Sequence, residues 1–370
     1  MEKFTCYLKS VKLFKNCLAS GKKQIHISLG NESCDLDSMV SSLIWGYFVS
    51  VSKPEYLVLP VLNVTRENFL LRTENCFVLE QAGIEIDNLI FRDQIDFTEL
   101  SKNYTSCLSA TLVDHHVLNK NDEILYKHVT QIFDHRPLDS SVSWDVGKVI
   151  KRIEQVGSCC TLISDEILRK SPHILTLPLS YLLYQTIIYD TIALVPENGK
   201  AKPLDIDIGL ELEKTYNFSA EKRQEVFDKL WAAHNDISNL TPKQLLYKDL
   251  KLIDGIYIPG LPTLVEDYLK LDGSLQAIRD FADNHNVTCL ILIGLDASIT
   301  VKRDLAIYSK NSDDKLKKIL LGTLQNNWEE FKFEKRPSDD EIYLLHVHNI
   351  KLSRKQLVPL VKDAWLKFTA

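Results

Sequence analysis

No stretch of this chain approaches the roughly 18 consecutive apolar residues that a membrane-spanning helix needs, so no membrane association is expected. Glycine and proline are scarce, 13 and 12 in 370 residues. With no repeat or low-complexity segment visible, fibrous and linker-like architectures are excluded. Eight cysteines occur without a C-x-x-C pair, two of them adjacent at Cys159 and Cys160. That usage fits buried reduced thiols in an intracellular, cytoplasmic protein. Neither a P-loop nor a dinucleotide-binding glycine fingerprint is present. Basic charge is in deficit, the formal net charge being −6, which argues against a nucleic-acid-coating protein. An anionic substrate is still allowed, because a local basic pocket can sit on an acidic molecule.

The amino terminus has the opposite bias. Lys3, Lys9, Lys12, Lys15, Lys22 and Lys23 face a single acid, Glu2, and no arginine. Phe4, Tyr7, Leu8, Val11, Phe14 and Leu18 recur at helical spacing, with Gly21 placed to cap the end. A first helix packed on the domain is expected. A mitochondrial presequence is the alternative, although such segments are normally rich in Arg and Ser.

At 370 residues two domains are the default. From residue 24 to about 190, β-rich runs alternate with amphipathic stretches. The runs are Gln24–Leu29, Tyr56–Leu62, Asn88–Phe91, Ala110–Val113 and Gln131–Phe133. Helices are expected at Ser38–Val51, Asn75–Ala82, Thr161–Leu168, Leu177–Thr191 and Ser219–Ala233. This is the pattern of βαβ units and a parallel sheet covered on both faces. Asn235–Thr241 reads as a hinge, with an N-cap signal at Thr241-Pro242. Beyond it, strands at Leu252–Ile258, Val287–Gly294, Ile299–Ser309 and Tyr343–His348 suggest a mixed sheet. Helices Thr263–His285, Asp313–Asn326 and Lys355–Phe368 would cover it. The expected architecture is therefore α/β, with domains at residues 1–234 and 235–370 and the site in the cleft between them.

Acidic residues gather where these runs end. Asp35-Leu36-Asp37 follows the first, Asp93 follows Leu89-Ile90-Phe91, Asp114-His115-His116 follows Ala110–Val113, and Asp190 closes Ile187-Ile188-Tyr189. Strand ends of open α/β sheets are where ligands bind. Carboxylates with imidazole suit a pair of divalent cations, a device for breaking phosphate bonds. A lone D-x-D would be read as a helix N-cap by Asp37 or Ser38. Repetition at four strand or helix ends favours a metal-dependent phosphohydrolase.

Asn31…Asp35-x-Asp37, Asp93 in Phe91-Arg92-Asp93, Asp114-His115-His116 and Asp190 in Tyr189-Asp190-Thr191 resemble the motifs of the DHH phosphoesterase superfamily. The opening Gly30-Asn31-Glu32, the Phe91–Asp96 segment, Asp134-His135-Arg136-Pro137 and Val156–Leu162 resemble its prune-like exopolyphosphatase branch. Lys248-Asp249-Leu250-Lys251 and Ser353-Arg354-Lys355-Gln356 resemble substrate-binding motifs shared with family II pyrophosphatases. The resemblance implies two cations, Mg²⁺ or Mn²⁺. One would be held by Asn31, Asp35 and Asp93, the other by Asp37, Asp93, His115 and Asp190. Asp93, His115, His116 and Asp190 would carry the chemistry, with His116 facing the phosphate and Asp114 orienting a histidine. Asn31 stands where the pyrophosphatases have histidine. An oxygen-rich donor set favours hard cations and makes the first cation the weaker one. An Asn31→His variant is then expected to bind Mn²⁺ or Co²⁺ more tightly in a metal titration.

Four aspartates nearly neutralise two divalent cations, so substrate charge must be met elsewhere. Arg136, Lys251, Arg354 and Lys355 are the candidates, and Ser353-Arg354-Lys355-Gln356 opens a helix whose N–H groups add to an anion site. Lys248 is read as a surface charge. His26 is read as packed, His346 and His348 are left outside the site, and Cys34 lacks the base a nucleophilic thiol requires. The leading activity is exopolyphosphatase on short-chain polyphosphate. The alternatives are a cyclic-nucleotide phosphodiesterase using the same site, or a weakly active scaffold binding a nucleoside diphosphate kinase. The chain ends soon after its last helix, so tail-mediated partnership is not expected.

Overall fold

The structure is a computed structural model that describes residues 1–14, 24–139, 142–145, 147–296, 300–311, 314–338, 340–349 and 354–369; the side chains of Arg354 and Lys355 lie outside that description. Two compact units divide the chain, Met1–Asn235 and Asp236–Ala370.

The first unit is built on six parallel strands: β1 (Gln24–Leu29), β2 (Tyr56–Leu62), β3 (Ile90–Phe91), β4 (Leu108–Val113), β5 (Val129–Asp134) and β6 (Ile150–Ile153), in the order β3-β2-β1-β4-β5-β6. Successive side chains alternate between two cores, as a sheet covered on both faces requires. Ile25, Ile27, Leu29, Leu59, Ala110, Leu112 and Ile132 enter one core, whereas Val58, Leu62, Phe91, Val113 and Phe133 enter the other. The chain runs outward from β1 to β2 and β3, then returns to the other side of β1 as β4. A crevice therefore opens at the carboxyl ends of β1 and β4, the switch point where such sheets bind ligands.

The helices of this unit include α1 (Glu2–Lys12), α2 (Leu36–Ser52), α3 (Thr73–Gln81), α4 (Cys159–Lys170) and α5 (Leu177–Asp190). The expected packed first helix is present. It buries Phe4, Leu8 and Val11 and is tied down by Lys12 Nζ donating to the Leu89 carbonyl at 2.6 Å. The expected cap at Gly21 lies outside the described residues. Strand β6 and the helix Pro203–Tyr216 are not anticipated by the sequence pattern. Lys151 and Arg152 give β6 a polar cast, and Pro203, which reads as the end of a loop, is a helix N1 residue.

The second unit carries β7 (Asp249–Ile253), β8 (Ile256–Leu261), β9 (Cys289–Asp296), β10 (Lys302–Ser309), β11 (Phe333–Lys335) and β12 (Ile342–Val347), in the order β11-β12-β10-β9-β8-β7. All pairs are antiparallel except β8 with β9, so the sheet is mixed. The single strand expected over Leu252–Ile258 is a hairpin. Asp254 and Gly255 both have positive φ, 47° and 93°, which a type I′ turn demands and Asp-Gly supplies. The helix expected over Thr263–His285 is split into Val265–Tyr268 and Ser274–Asn284, with Gly273 as the N-cap of the second piece. Thr241 caps Pro242–Lys248 through a capping box with Gln244, the signal the sequence carried.

No helix among the described residues is long and apolar enough to cross a membrane. The seven described cysteines are free, and Cys34, Cys159, Cys160 and Cys289 are buried.

Candidate metal centre

The loop after β1 is shaped by its own side chains. Ser38 Oγ accepts from Asn31 N at 2.6 Å, and a Cβ on Gly30 would stand 2.4 Å from that oxygen, so only glycine fits there. Asp35 is the N-cap of α2, accepting from Ser38 N at 3.1 Å. The loop is held from outside by Asn75 Nδ2 on the Cys34 carbonyl at 2.9 Å and by Arg72 Nε on the Ser33 carbonyl at 2.8 Å.

Asp37, in the first turn of α2, is buried and joined to α4. Its two carboxylate oxygens accept from Cys159 N at 2.5 Å and Cys160 N at 2.8 Å, meeting the positive end of that helix. Among the described residues, Asp37, Asp114 and His135 offer three ligand atoms that all lie within 4.8 Å of one another. His135 Nε2 stands 3.1 Å from Asp114 Oδ1 and 3.7 Å from Asp37 Oδ2. Its Nδ1 lies 3.0 Å from the Val156 carbonyl, which fixes the ring so that Nε2 faces the carboxylates.

Sheet register explains the gathering. Pairing of Leu29 with Leu112 and of Val113 with Phe133 brings the ends of β1, β4 and β5 level. Asp114 sits there with φ 62°, a conformation that aspartate tolerates better than most residues. Its Oδ2 accepts from Asn31 Nδ2 at 2.6 Å. Asp190, the last residue of α5, joins electrostatically. Burial, Asp37 and Asp35 together hold its carboxyl well above the usual carboxylate range, and its Oδ2 is buried without a hydrogen-bond partner. Burial and Asp37 likewise raise Asp114 and Asp35. His135 is pulled down by burial, but Asp114 and Asp37 outweigh that and push it up to about 10. Acids that repel one another this strongly form a cavity for positive charge.

Several expected residues are placed differently. Asp93 is exposed and accepts from Arg66 N at 3.3 Å. It follows edge strand β3, separated from β4 by β2 and β1, about three strand spacings or ~14 Å. His115 turns its Nδ1 to the Val113 carbonyl at 3.0 Å and is not in the gathered trio. His116 has Nδ1 on Asp134 Oδ2, and its Nε2 accepts from Asp139 N at 2.8 Å, so neither nitrogen faces outward. Asn31 Oδ1 accepts from Ser33 Oγ at 2.6 Å and Cys34 N at 3.1 Å, so its amide braces Asp114 instead of presenting an oxygen to a cation.

Arg136 is exposed, and its charge is felt at Asp35. Lys251 is exposed on β7. Arg354 opens the last helix, Arg354–Thr369, but the side chains of Arg354 and Lys355 lie outside the described residues. His26 is packed as expected, its nitrogens 2.9 Å from Ser109 Oγ and 3.0 Å from Thr111 Oγ1. His346 and His348 pair with Glu266 and Glu334 on the second unit.

Comparison with known proteins bears on this geometry. The DHHA2 domain profile matches residues 228–364. The mouse exopolyphosphatase PRUNE1 is 33% identical over 354 residues, covering 92% of this chain and 76% of that protein. The chain belongs to the prune-like branch of the DHH phosphoesterases. Human exopolyphosphatase PRUNE1 is also 33% identical, with the same coverage of both chains. A crystal structure from Methanococcus jannaschii, assigned to the family II inorganic pyrophosphatases, aligns over 93% of this chain and 100% of that one, at 17% identity and a TM-score of 0.49. For a member of this branch, the acids and imidazole at the β1–β4 crevice are the natural candidate for its metal centre.

Proposed function

We propose that this prune-like protein is a divalent-cation-dependent hydrolase of phosphoanhydride bonds, releasing terminal phosphate from short inorganic polyphosphates. The observation carrying this reading is the set of mutually repelling carboxylates, Asp35, Asp37, Asp114 and Asp190, closed by the single imidazole of His135. The named activity of the mouse and human relatives supports it.

The donor set fits hard cations: carboxylate oxygens dominate, and one buried oxygen, Asp190 Oδ2, lacks any partner. Mg²⁺ or Mn²⁺ matches such ligands. Asp35, Asp37, Asp114, Asp190 and His135 would hold the pair, with Asp114 and His135 in the roles the sequence suggested for Asp93 and His115. Bound there, the cations would polarise phosphoryl oxygen and lower the pKa of attacking water.

The chain's own groups do the rest. Asn31 Nδ2 fixes the rotamer of Asp114. The Val156 carbonyl accepts the proton of His135 Nδ1, so Nε2 is the nitrogen that would take a cation once its own proton is released. Arg136 meets the charge of the phosphate chain, with Lys251, Arg354 and Lys355 as further cationic candidates. The test is purified full chain with Mg²⁺ or Mn²⁺, given tripolyphosphate, tetrapolyphosphate, pyrophosphate and cyclic AMP in parallel. Phosphate release from the first two alone selects this reading. Silence on both, with cation bound, removes it.

A further inference from the structure

Residues 135–139 leave β5 without regular secondary structure, and Arg136 through Asp139 are exposed. Such a segment normally wanders, and a substrate-binding arginine on it would lose entropy on every encounter. This one is fastened from beneath. His116 is 4% exposed and Asp134 fully buried, and the ring Nδ1 donates to Asp134 Oδ2. The other ring nitrogen accepts from Asp139 N at 2.8 Å. One imidazole does both only as the neutral tautomer carrying its proton on Nδ1. The second oxygen of Asp134 accepts from Arg136 N at 3.1 Å. Trp144 Nε1, bonded to the His116 carbonyl at 2.9 Å, steadies the histidine in turn.

A continuous relay thus runs from the Asp139 amide through His116 and Asp134 to the Arg136 amide, closing the segment at both ends. We infer that His116 is a positioning residue, which sets the loop 135–139 so that Arg136 is presented to the phosphate chain. The loop anchoring stands on these contacts alone, while the consequence for substrate rests on the hydrolase reading above.

The experiment uses the full chain in three single variants, His116→Ala, His116→Gln and Arg136→Ala, with the His116→Ala/Arg136→Ala double variant. Two readouts are taken: amide hydrogen exchange at Arg136 and Asp139, and KM and kcat on tripolyphosphate with Mn²⁺. Losing a hydrogen bond of ordinary strength should speed exchange at both amides about tenfold in His116→Ala. KM should rise about tenfold with kcat nearly unchanged, and adding His116→Ala to Arg136→Ala should raise KM no further, the signature of residues acting as one unit. Glutamine offers one donor and one acceptor, so His116→Gln should recover part of both effects, and it carries the test if the alanine variant does not fold.

Unchanged exchange at the two amides would overturn the inference. So would additive KM effects in the double variant, or a fall in kcat at constant KM, which would put His116 on the reacting atoms. If wild-type protein turns over no tripolyphosphate, the hydrolase reading falls, and the exchange rates still decide whether His116 holds the loop.

Discussion

The ends of β4 and β5 carry the same dipeptide and use it in opposite ways. At Asp114-His115 the carboxylate enters the acidic centre, and the imidazole, its Nδ1 on the Val113 carbonyl, lies outside the Asp37–Asp114–His135 trio. At Asp134-His135 the imidazole enters the centre, and the carboxylate is taken up by His116 and Arg136 N. The difference is backbone conformation and neighbourhood, not residue type. Asp114 is left-handed with φ 62°, which swings its side chain across the β1 loop toward Asn31. Asp134 is still a strand residue, and its side chain goes to the ring of His116. Identical short motifs on adjacent strands would therefore carry complementary halves of the proposed site.

The strongest way to break this comparison is to remove the inward-facing member of each pair. Asp114→Ala and His135→Ala should each weaken Mn²⁺ binding by more than the roughly 100-fold that loss of an orienting partner can cost. Polyphosphate hydrolysis should be lost with it. Asp93→Ala, at an exposed position, should stay within about threefold of wild type in the same titration, and His115→Ala, buried beside Asp114 but outside the trio, should lose less than His135→Ala. Equal losses in His115→Ala and His135→Ala would erase the distinction between the two strand ends.

That distinction also marks how far the residues could be read unaided. Strands β1 and β2 were legible to the residue, because buried β-branched runs flanked by polar loops have few alternatives. Asp35, Asp37 and Asp190 could be singled out from their positions at element ends. Between the two imidazoles the sequence favours His115, whereas the proposed centre uses His135, and Asp93 ends an apolar run as Asp114 does. Strand order, β3 outermost and β4 beside β1, separates them, and it depends on pairings that no local window contains. Asn75 carried no signal of its own. It is a helical residue whose value comes from the carbonyl of Cys34, 41 positions away.

A cation should stabilise the fold, since it relieves the repulsion that raises Asp35, Asp114 and Asp190. Mn²⁺ at 100 times its dissociation constant should add about 2.7 kcal/mol to unfolding stability, measurable as a Tm rise that a chelator reverses. In Asp114→Ala the rise should shrink to near zero. An equal rise in that variant would place the cation elsewhere.

A third imidazole sharpens the contrast. His26 lies on β1 between Ser109 and Thr111, and burial with the nearby charge of Lys53 pulls it down to about 3. It folds neutral, while the unfolded chain takes up its proton near pH 6.5. Its contribution is therefore complete above about pH 6.5 and is lost as pH falls toward 3. The slope is up to about 1.4 kcal/mol per pH unit. The comparison is urea unfolding of wild type and His26→Asn across pH 4 to 7. The variant should show the shallower decline, and parallel curves would refute the assignment.

The smallest effect concerns backbone. Asp114 is not alone in its left-handed geometry: Ile192, Ala193 and Leu194, one residue beyond Asp190, have φ of 53°, 57° and 58°. Each such residue costs roughly 1–2 kcal/mol relative to ordinary backbone, and three in succession turn the chain away from the centre just after its last acid. Thr191 Oγ1 steadies the turn by accepting from Leu194 N at 3.2 Å. Ala193 is the member with least side chain to lose. Ala193→Gly removes the Cβ clash but loosens the unfolded chain by about 0.4–1 kcal/mol. Relief of strain outweighs that loss, so the variant should be more stable by at most about 1 kcal/mol. Its Mn²⁺ affinity should be unchanged, because Asp190 is held by α5. A loss of stability in Ala193→Gly would mean that the turn is not strained. A loss of Mn²⁺ affinity would mean that the left-handed turn itself, not α5, sets the position of Asp190.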